Sequence, residues 1–345
     1  MVSAVLQTSF LGDMILTTPL IERLAREGEV HVVATPANAA VLAHHPAVAS
    51  VIVYDKRQAD AGFTGLRRVA ARLRDTRATT AYMAQGSWRT AALARLAGVP
   101  SVGFDTSAGR WLYSRHVAYR KDWHHAQRLW ALASAPREAS LPAPGQLRPS
   151  LYPGASDDAH VMALLAAAGV GAGDPLIALA PGSVWATKRW PSYDALASAL
   201  VSQLPDVRIV VIGAAGDAPL AAAISGAVNQ RGGRAVIDAT GKLSLLGSAA
   251  LLSRCAVLAT NDSAPLHLAS AMNTPTVALF GPTVPAMGFG PLAERHVVLG
   301  RDALTCRPCS AHGGEACPLG HWKCMRDIEP SAVAAQVVRE TRASQ

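Results

Sequence analysis

Three segments of the chain combine residue types that could bind phosphate or transfer a proton. Residues 8–13 read Thr-Ser-Phe-Leu-Gly-Asp and follow an apolar run at the N-terminus. Residues 180–191 contain a Gly-Ser pair and a lysine, and residues 260–269 contain Asn-Asp-Ser followed by Pro and His. Each segment directly follows a predicted β-strand, which is where α/β proteins bind their ligands.

Asp13 is the only carboxylate of the first segment. It lies at a glycine-containing turn between a predicted strand and a predicted helix, where it could act as a base that takes a proton from a hydroxyl. Considered alone, such an Asp is more often a carboxylate that caps the turn. Proline is disfavoured deep inside a helix, so Pro19 predicts that the regular helix begins near Thr17 or Thr18, or kinks there.

The second segment could hold phosphate, because Ser183 and backbone N–H groups are donors and Lys188 supplies a positive charge. Its spacing is not that of a Walker loop, and an ordinary turn with a solvated lysine has the same residues. Two loops of this kind in one domain favour binding of a diphosphate. Residues 213–217, which follow another strand, could line the same site.

The third segment could place free backbone N–H groups toward an anion, because Pro265 suits the first turn of a helix that begins there. The alternative is a capped helix, with Asp262 or Ser263 as the cap and His267 packed in the interior.

Four of the five cysteines lie close together near the C-terminus, at Cys306, Cys309, Cys317 and Cys324, and His312 and His321 lie among them. These are the ligand types of a structural Zn or Fe site, although the spacing is irregular for a zinc ribbon. The alternative is four free thiols, because a reducing cytoplasm disfavours disulfides. Residues 306–324 have few large apolar side chains, so little besides a metal is expected to order them. Cys255 is predicted to be a core residue on a strand.

The composition excludes several classes of protein. The chain has 345 residues, of which 50% are hydrophobic and 16% charged, and 32 Lys and Arg against 24 Asp and Glu give a net charge of +8. It is too hydrophobic for a disordered chain, and no apolar run reaches the roughly 18 residues of a membrane span. The N-terminus lacks the features of a secretory signal, so we expect a cytoplasmic protein. The positive charge suits an anionic partner.

Short apolar runs alternate with helical stretches along the whole chain. The predicted strands are 2–7, 30–34, 51–54, 80–84, 176–180, 208–212, 235–238, 256–260 and 276–280, and the predicted helices include 66–77, 159–168, 193–203, 245–253 and 330–342. Strands rich in Val and Ile without clean alternation are typical of parallel sheets buried on both faces. The sequence therefore predicts an α/β fold with two doubly wound domains.

The proline-rich stretch 136–153 predicts a linker between the two domains. We accordingly expect an N-terminal domain over residues 1–155, with the linker at about 136–155, a C-terminal domain over 156–328, and a C-terminal helix and tail over 329–345. Two such domains would face each other across a cleft that binds ligands.

The ordered set of motifs resembles the ADP-heptose:lipopolysaccharide heptosyltransferases. The matching motifs are Leu11-Gly12-Asp13 with Pro19, Pro181-Gly182-Ser183 with Lys188 and Trp190-Pro191, Asp262-Ser263-x-x-x-His267, and Phe280-Gly281-Pro282-Thr283. Cys317-Pro318-Leu319-Gly320-His321 with Cys324 is similar to the heptosyltransferase II branch. The resemblance runs from residue 1 to about residue 328.

This resemblance implies a GT-B fold with two Rossmann-like domains, the acceptor on the first and the nucleotide sugar on the second. It implies transfer of L-glycero-D-manno-heptose from ADP-heptose to the lipopolysaccharide inner core, with inversion at the anomeric carbon. Asp13 would be the catalytic base. The residues implied to hold the donor are Ser183, Lys188, Asp262, Ser263, Ala264 and His267. The family usually has glycine in place of Ala264, whose Cβ could crowd the phosphate.

The expected acceptor contacts are Gly12, Arg120 and Lys121. Basic side chains crowd residues 67–77 and alternate with aromatic ones over residues 110–130. Such a run is often a solvated face, but in a lipopolysaccharide enzyme it would meet anionic sugars and the anionic inner face of the inner membrane, where a peripheral protein would bind. No nucleic-acid motif accompanies it. Catalysis is expected to need no metal, because no D-x-D motif is present.

Two alternatives stay open from the sequence. One is a protein heptosyltransferase that acts on a secreted adhesin, since a branch of the family with that activity carries a four-cysteine metal finger. The other is a nucleotide-sugar-binding protein without activity, which would not need Asp13.

Overall fold

The computed structural model describes residues 1–134, 142–171 and 173–344. These residues form two compact units, Met1–Tyr152 and Pro153–Gln345. The chain thus divides shortly before the predicted boundary at residue 155, and residues 135–141 of the predicted linker lie outside the described residues. No helix in the described part of the chain is long and apolar enough to cross a bilayer.

The first unit contains six strands and five helices among its described residues. They are β1 (Val2–Gln7), α1 (Leu11–Ala25), β2 (Glu29–Ala34), α2 (Pro36–Ala40), β3 (Ser50–Val53), α3 (Gly62–Asp75), β4 (Thr80–Met83), α4 (Trp88–Ala97), β5 (Ser101–Phe104), β6 (Arg115–Val117) and α5 (His125–Ala131). All strand pairs are parallel, and the sheet order is β3-β2-β1-β4-β5-β6.

The second unit repeats this arrangement. Its elements are α6 (Ala155–Ala167), β7 (Leu176–Ala180), α7 (Tyr193–Gln203), β8 (Arg208–Val211), α8 (Ala218–Gln230), β9 (Ile237–Asp238), α9 (Leu245–Leu252), β10 (Val257–Asn261), α10 (Ala264–Met272), β11 (Thr276–Phe280), β12 (His296–Gly300), α11 (Lys323–Arg326) and α12 (Pro330–Arg342). The order of this parallel sheet is β12-β11-β10-β7-β8-β9.

The central strands explain why both sheets are parallel and helix-covered. Every residue of β7 and β11 is buried, and a strand buried on both faces requires helices on both sides of the sheet. In each sheet the chain runs outward from the first strand, returns, and runs outward on the other side, so the order reverses between β1 and β4 and between β7 and β10. The predicted fold of two doubly wound α/β units is therefore confirmed.

Pro19 does not delay the start of α1, so the prediction that the helix begins near Thr17 or Thr18 is wrong, while the alternative of a kink stays a prediction. The helix begins at Leu11 and contains Pro19 in its interior. Proline has no N–H, so the carbonyl of Ile15 loses its usual helical donor. The hydroxyl of Thr18 donates to that carbonyl at 2.9 Å instead. The Thr18 hydroxyl thus satisfies the carbonyl that the proline leaves without its helical donor.

The C-terminal helix α12 belongs to the second unit rather than to a separate tail. It packs on α7, β10 and β11, and Val333 and Val337 are fully buried in the same core as Leu200 of α7.

Candidate functional site

Asp13 lies in the first turn of α1, the helix that follows β1. The positive end of the helix dipole favours a carboxylate at this position. Ser9 Oγ lies 2.7 Å from Asp13 Oδ2 and 2.5 Å from Gln7 Oε1, and the buried Gln7 side chain also accepts a hydrogen bond from the Ser9 backbone N–H at 3.1 Å. The carboxylate is held in place and its side chain is still 19% exposed, so it can meet a substrate hydroxyl.

His125, the first residue of α5, faces the other oxygen of this carboxylate. Its Nε2 lies 3.8 Å from Asp13 Oδ1. Burial, with a smaller contribution from the charge of Arg128, lowers the pKa of His125 to about 3. The imidazole is therefore neutral at physiological pH. Sequence reasoning missed this residue, because His124-His125 carries no spacing relative to Asp13 that could be recognised.

A second feature missed from the sequence is a cluster of positive charge beside the end of β1. Lys56 Nζ donates to the carbonyl of Thr8 at 2.7 Å. Burial lowers the pKa of the Lys56 ammonium, and the charges of Arg57 and Arg89 lower it further. Like charges that converge at the carboxyl edge of a sheet favour an anionic ligand.

The predicted acceptor contacts occupy different surroundings. Gly12 is the second residue of α1. The Arg120 guanidinium pairs with Asp122 at 3.2 Å and lies 5.3 Å from the centre of the Trp123 ring. Lys121 is exposed. The structure places Arg120 in an exposed ion pair, so its contact with an acceptor, like those of Gly12 and Lys121, stays a prediction.

In the second unit, Lys188 and Asp262 meet where the strand order reverses. Lys188 follows β7 and Asp262 follows β10, and Lys188 Nζ lies 2.6 Å from Asp262 Oδ2. The hydroxyl of Thr283, from the loop after β11, donates to the same oxygen at 2.6 Å. The Lys188 and Asp262 side chains are only 11% and 8% exposed. The phosphate-type loops that the sequence separates by more than 70 residues thus form one polar cluster.

Asn261, the last residue of β10, fixes the loop that carries Lys188. Its buried side-chain amide donates to the carbonyl of Pro181 at 2.8 Å, and its side-chain oxygen accepts from the N–H of Trp190 at 3.2 Å and the hydroxyl of Tyr193 at 3.3 Å. Both ends of the 181–190 loop are therefore tied to the end of β10.

Gly182 gives this loop room for a carboxylate. A Cβ at Gly182 would clash with the carboxylate of Asp217, which also accepts a hydrogen bond from the N–H of Ala214 at 2.9 Å. Residues 213–217 therefore border the 181–190 loop, and their part in a diphosphate site stays a prediction.

The remaining predicted donor residues lie around the start of α10. Ser263 precedes the helix and makes no side-chain cap, Ala264 is its first residue, and Pro265 lies in its first turn. His267 is buried. Ser183 is half-buried and its carbonyl accepts a hydrogen bond from Arg189 at 2.8 Å. The structure brings Ser263 and Ala264 next to Asp262, while donor contacts from any of these residues stay predictions.

The cysteine-bearing segment is held against these loops by hydrogen bonds, although the sequence suggested that little besides a metal would order it. Arg307, with a side chain 3% exposed, donates to the carbonyls of Gly281, Phe280 (2.8 Å) and Thr283 (3.1 Å). Its neighbours add further ties: the Cys309 N–H donates to the carbonyl of Pro282, and Gly314 exchanges hydrogen bonds with Thr187.

The four thiols of this segment lie within range of one another's charge. Cys306, Cys309 and Cys317 all influence Cys324, whose pKa is raised chiefly by burial. Backbone N–H groups, that of Trp322 first, lower the pKa of the Cys317 thiol. In the described part of the chain, however, no three His, Cys, Asp or Glu side chains are grouped to hold a metal ion. The metal site therefore stays a prediction.

Cys255 differs from these four. It precedes β10 rather than lying on it, and burial raises its pKa to about 12.

Comparison with known proteins identifies similar chains. The model of glycosyltransferase family 9 (heptosyltransferase) matches residues 66–322. The chain is 32% identical over 321 residues to lipopolysaccharide heptosyltransferase 1 of Pseudomonas aeruginosa, an alignment that covers 88% of this chain and 84% of that protein. It is also 32% identical over 128 residues to lipooligosaccharide heptosyltransferase 2 of Haemophilus influenzae, but that match spans only 36% of either protein.

The fold is similar to a solved structure over nearly its whole length. The glycosyltransferase family 9 protein from Veillonella parvula superposes with a TM-score of 0.84 at 23% identity, covering 99% of this chain and 97% of that one. At this identity the likeness concerns the fold.

The cysteine segment generates one prediction. If Cys306, Cys309, Cys317 and Cys324 bind a structural metal, protein purified without chelator should contain about one equivalent of Zn or Fe, and Cys309→Ser should lose it and melt at a lower temperature. Cys255→Ala is the control, because it removes a thiol outside the segment. Less than about a tenth of an equivalent of metal, with an unshifted melting temperature in Cys309→Ser, would exclude the site.

Proposed function

Because the chain belongs to glycosyltransferase family 9 (heptosyltransferase), we propose that it transfers L-glycero-D-manno-heptose from ADP-heptose to the lipopolysaccharide inner core. The observation that carries the proposal is the buried cluster of Lys188, Asp262 and Thr283 at the reversal of strand order in the second sheet. A sugar nucleotide needs positive charge for its phosphates and polar groups for its sugar, and this cluster offers both.

On the donor side, Lys188 would leave its contact with Asp262 and bind the diphosphate of ADP-heptose instead. The free N–H groups at the start of α10 would add further donors to the phosphates. Asp262, released from the lysine but still bonded to Thr283, could then accept hydrogen bonds from sugar hydroxyls. As the bond to the diphosphate breaks, negative charge grows on the leaving phosphate, and Lys188 would stabilise it more strongly than in the ground state. The proposal therefore needs no metal for catalysis.

On the acceptor side, Asp13 would act as the base. The acceptor hydroxyl gives its proton to the Asp13 carboxylate while its oxygen forms a bond to the anomeric carbon. The anomeric carbon–oxygen bond to the diphosphate breaks with its electron pair, and ADP leaves. One displacement of this kind inverts the anomeric configuration.

The positive cluster of Lys56, Arg57 and Arg89 would bind the acidic groups of the acceptor. Lys56 contacts the carbonyl of Thr8, five residues before Asp13, so an anion held there would lie near the base. Inner-core acceptors carry carboxylates and phosphates, which suit guanidinium groups and ammonium groups.

We propose heptosyl-Kdo2-lipid A as the acceptor, so that the chain adds the second heptose. This rests on the resemblance of residues 317–321 to the heptosyltransferase II branch. The relatives carry both designations, 1 in P. aeruginosa and 2 in H. influenzae, and the test below therefore includes both lipid acceptors.

Exposed aromatic side chains support action at an anionic membrane surface. Phe63, Trp88 and Trp111 are 63%, 61% and 80% exposed, and each has an arginine guanidinium over its ring. They follow β3, β4 and β5, respectively, at the carboxyl edge of the first sheet. Aromatic rings and arginines together suit the headgroup region of a bilayer. We therefore propose peripheral binding to the inner face of the inner membrane.

The proposal is tested by incubating the protein with ADP-heptose and, separately, with Kdo2-lipid A, heptosyl-Kdo2-lipid A and an unglycosylated adhesin. Mass spectrometry should show the gain of one heptose on heptosyl-Kdo2-lipid A. A gain on Kdo2-lipid A alone would assign the first transfer, a gain on the adhesin would assign protein glycosylation, and no gain on any acceptor would overturn the proposed activity.

Asp13→Asn should reduce turnover by roughly 10²- to 10⁴-fold, because the amide keeps the shape of the side chain but cannot accept the proton. Affinity for ADP, measured by calorimetry, should stay within a few-fold of the wild-type value. Asp75→Asn, an exposed carboxylate at the end of α3, is the control. Near-normal turnover in Asp13→Asn would return this residue to a structural role.

Lys188→Ala should weaken binding of ADP-heptose and slow transfer together. A hydrogen bond to a charged group contributes roughly 1.5–3 kcal/mol, which is about 10- to 150-fold in affinity. Lys242→Ala, which removes a half-exposed lysine paired with Asp238 in the same unit, should leave both quantities unchanged. Calorimetry with unchanged affinity for ADP and the donor, together with unchanged turnover, would contradict the assignment of Lys188.

A further inference from the structure

We propose that His125 is a positioning residue that donates its Nε2–H to Asp13 Oδ1 and so orients the carboxylate toward the acceptor hydroxyl. This inference rests on the proposed function, in which Asp13 is the base. The histidine would not touch the substrate and would act through Asp13.

The geometry places two groups on the two oxygens of one carboxylate. Ser9 Oγ lies 2.7 Å from Asp13 Oδ2, and His125 Nε2 lies 3.8 Å from Asp13 Oδ1. Catalytic hydrogen bonds are often long before substrate binds and shorten in the complex. The side chain of His125 is 13% exposed, so few waters compete for this contact.

The helix that carries His125 is fixed against the helix that carries Asp13. α5 packs on α1, and Arg23 of α1 lies 4.9 Å from the centre of the Trp130 ring and donates to the carbonyl of Trp130 at 3.1 Å. His124 caps the start of α5 through its side chain. The position of His125 relative to Asp13 is therefore set by packing, which is what a positioning role needs.

The charge state of His125 determines which role it can have. Burial and the neighbouring Arg128 lower its pKa to about 3, so the imidazole is uncharged at neutral pH and can be a hydrogen-bond donor without forming an ion pair. A cationic imidazole would oppose protonation of the carboxylate. An imidazole of such low pKa is also a weaker base than a carboxylate. The proton taken from the acceptor therefore stays on Asp13 and is not passed to His125.

The same unit offers a matched control outside the proposed site. His45 Nε2 also lies 3.8 Å from a carboxylate on α1, that of Glu22. Burial lowers the pKa of His45 to about 4. Glu22 is nine residues beyond Asp13 on the same helix, about 14 Å along its axis. Among the described residues, two carboxylates of α1 thus have a histidine at the same distance, and only one of these two carboxylates is the proposed base.

The test compares His125→Leu, His125→Gln and His45→Leu in kcat, in KM for both substrates and in affinity for ADP. His125→Leu should lower kcat about 10- to 100-fold, with KM for ADP-heptose within about twofold of wild type, because orientation of the base and not donor binding is lost. His125→Gln should recover most of this loss, since its amide N–H can reach Asp13. His45→Leu should stay within about twofold of wild type in kcat.

A second readout does not depend on transfer. The titration of the Asp13 carboxyl carbon, followed by NMR and assigned by its absence in Asp13→Asn, should move to higher pH in His125→Leu, because a donor to the charged form is lost. It should return toward the wild-type position in His125→Gln. The groups that face this carboxylate from the neighbouring elements include Ser9 and His125, with Arg128 next to the histidine.

Equal losses of kcat in His125→Leu and His125→Gln would assign His125 to packing and overturn the proposal, as would an unchanged kcat and an unchanged carboxyl titration in His125→Leu. If His125→Leu does not fold, His125→Asn replaces it, because the shorter amide cannot reach Asp13 and should be as impaired. A wild-type protein that transfers no heptose would overturn the proposed function, while the carboxyl titration would still decide whether His125 donates to Asp13.

Discussion

The reversal of strand order in each parallel sheet is the constraint on which the candidate site depends. Where the chain leaves one strand in one direction and its neighbour in the other, the two following loops diverge and the strand ends are left without a covering helix. In the second sheet this point lies between β7 and β10, and it brings Lys188 and Asp262 within 2.6 Å of each other. In the first sheet it lies next to β1, and Asp13 follows that strand.

The Lys188–Asp262 pair is nearly buried, and this gives it both a structural and a chemical consequence. Removing one partner of a buried ion pair leaves the other charge uncompensated, which typically costs about 3–5 kcal/mol. In the proposed function, a ligand with its own negative charge would replace the carboxylate as the partner of Lys188. Thr283 donates a hydrogen bond to Asp262, so in the proposed exchange the carboxylate would keep one partner when the lysine moves to the diphosphate. Arg307 donates a hydrogen bond to the carbonyl of Thr283 at 3.1 Å.

The number of arginines available to bind an external anion is smaller than the net charge of +8 suggests, because many of them donate hydrogen bonds to backbone carbonyls of the chain itself. Arg128 donates to the carbonyls of residues 120 and 121, and Arg74 to those of residues 96 and 97. Arg115 and Arg307 are used in the same way. A guanidinium suits this task because its donors form a fixed fork. The charges of Arg57 and Arg89 act on Lys56, and these three residues form the cluster proposed to bind the acceptor.

The sequence alone determined the fold class and most central strands, because a strand buried on both faces is a run of apolar residues that the sequence shows directly. Three strands have the same bounds in the prediction and in the structure: 2–7, 176–180 and 276–280. The sequence did not reveal β5, β6 or β12. The buried strand β5 has only four residues, among them a serine and a glycine, and the residues of β6 and β12 are half-exposed or exposed. It did not reveal the start of α1 either, because only the structure shows that the Thr18 hydroxyl replaces the missing proline donor. It identified Asp13, Lys188 and Asp262 as separate candidates. Only the tertiary structure joined Lys188 to Asp262 and Thr283, and placed His125 against Asp13. These contacts join residues that are 21 to 112 positions apart in the sequence. No local sequence pattern encodes which distant loops a sheet will bring together.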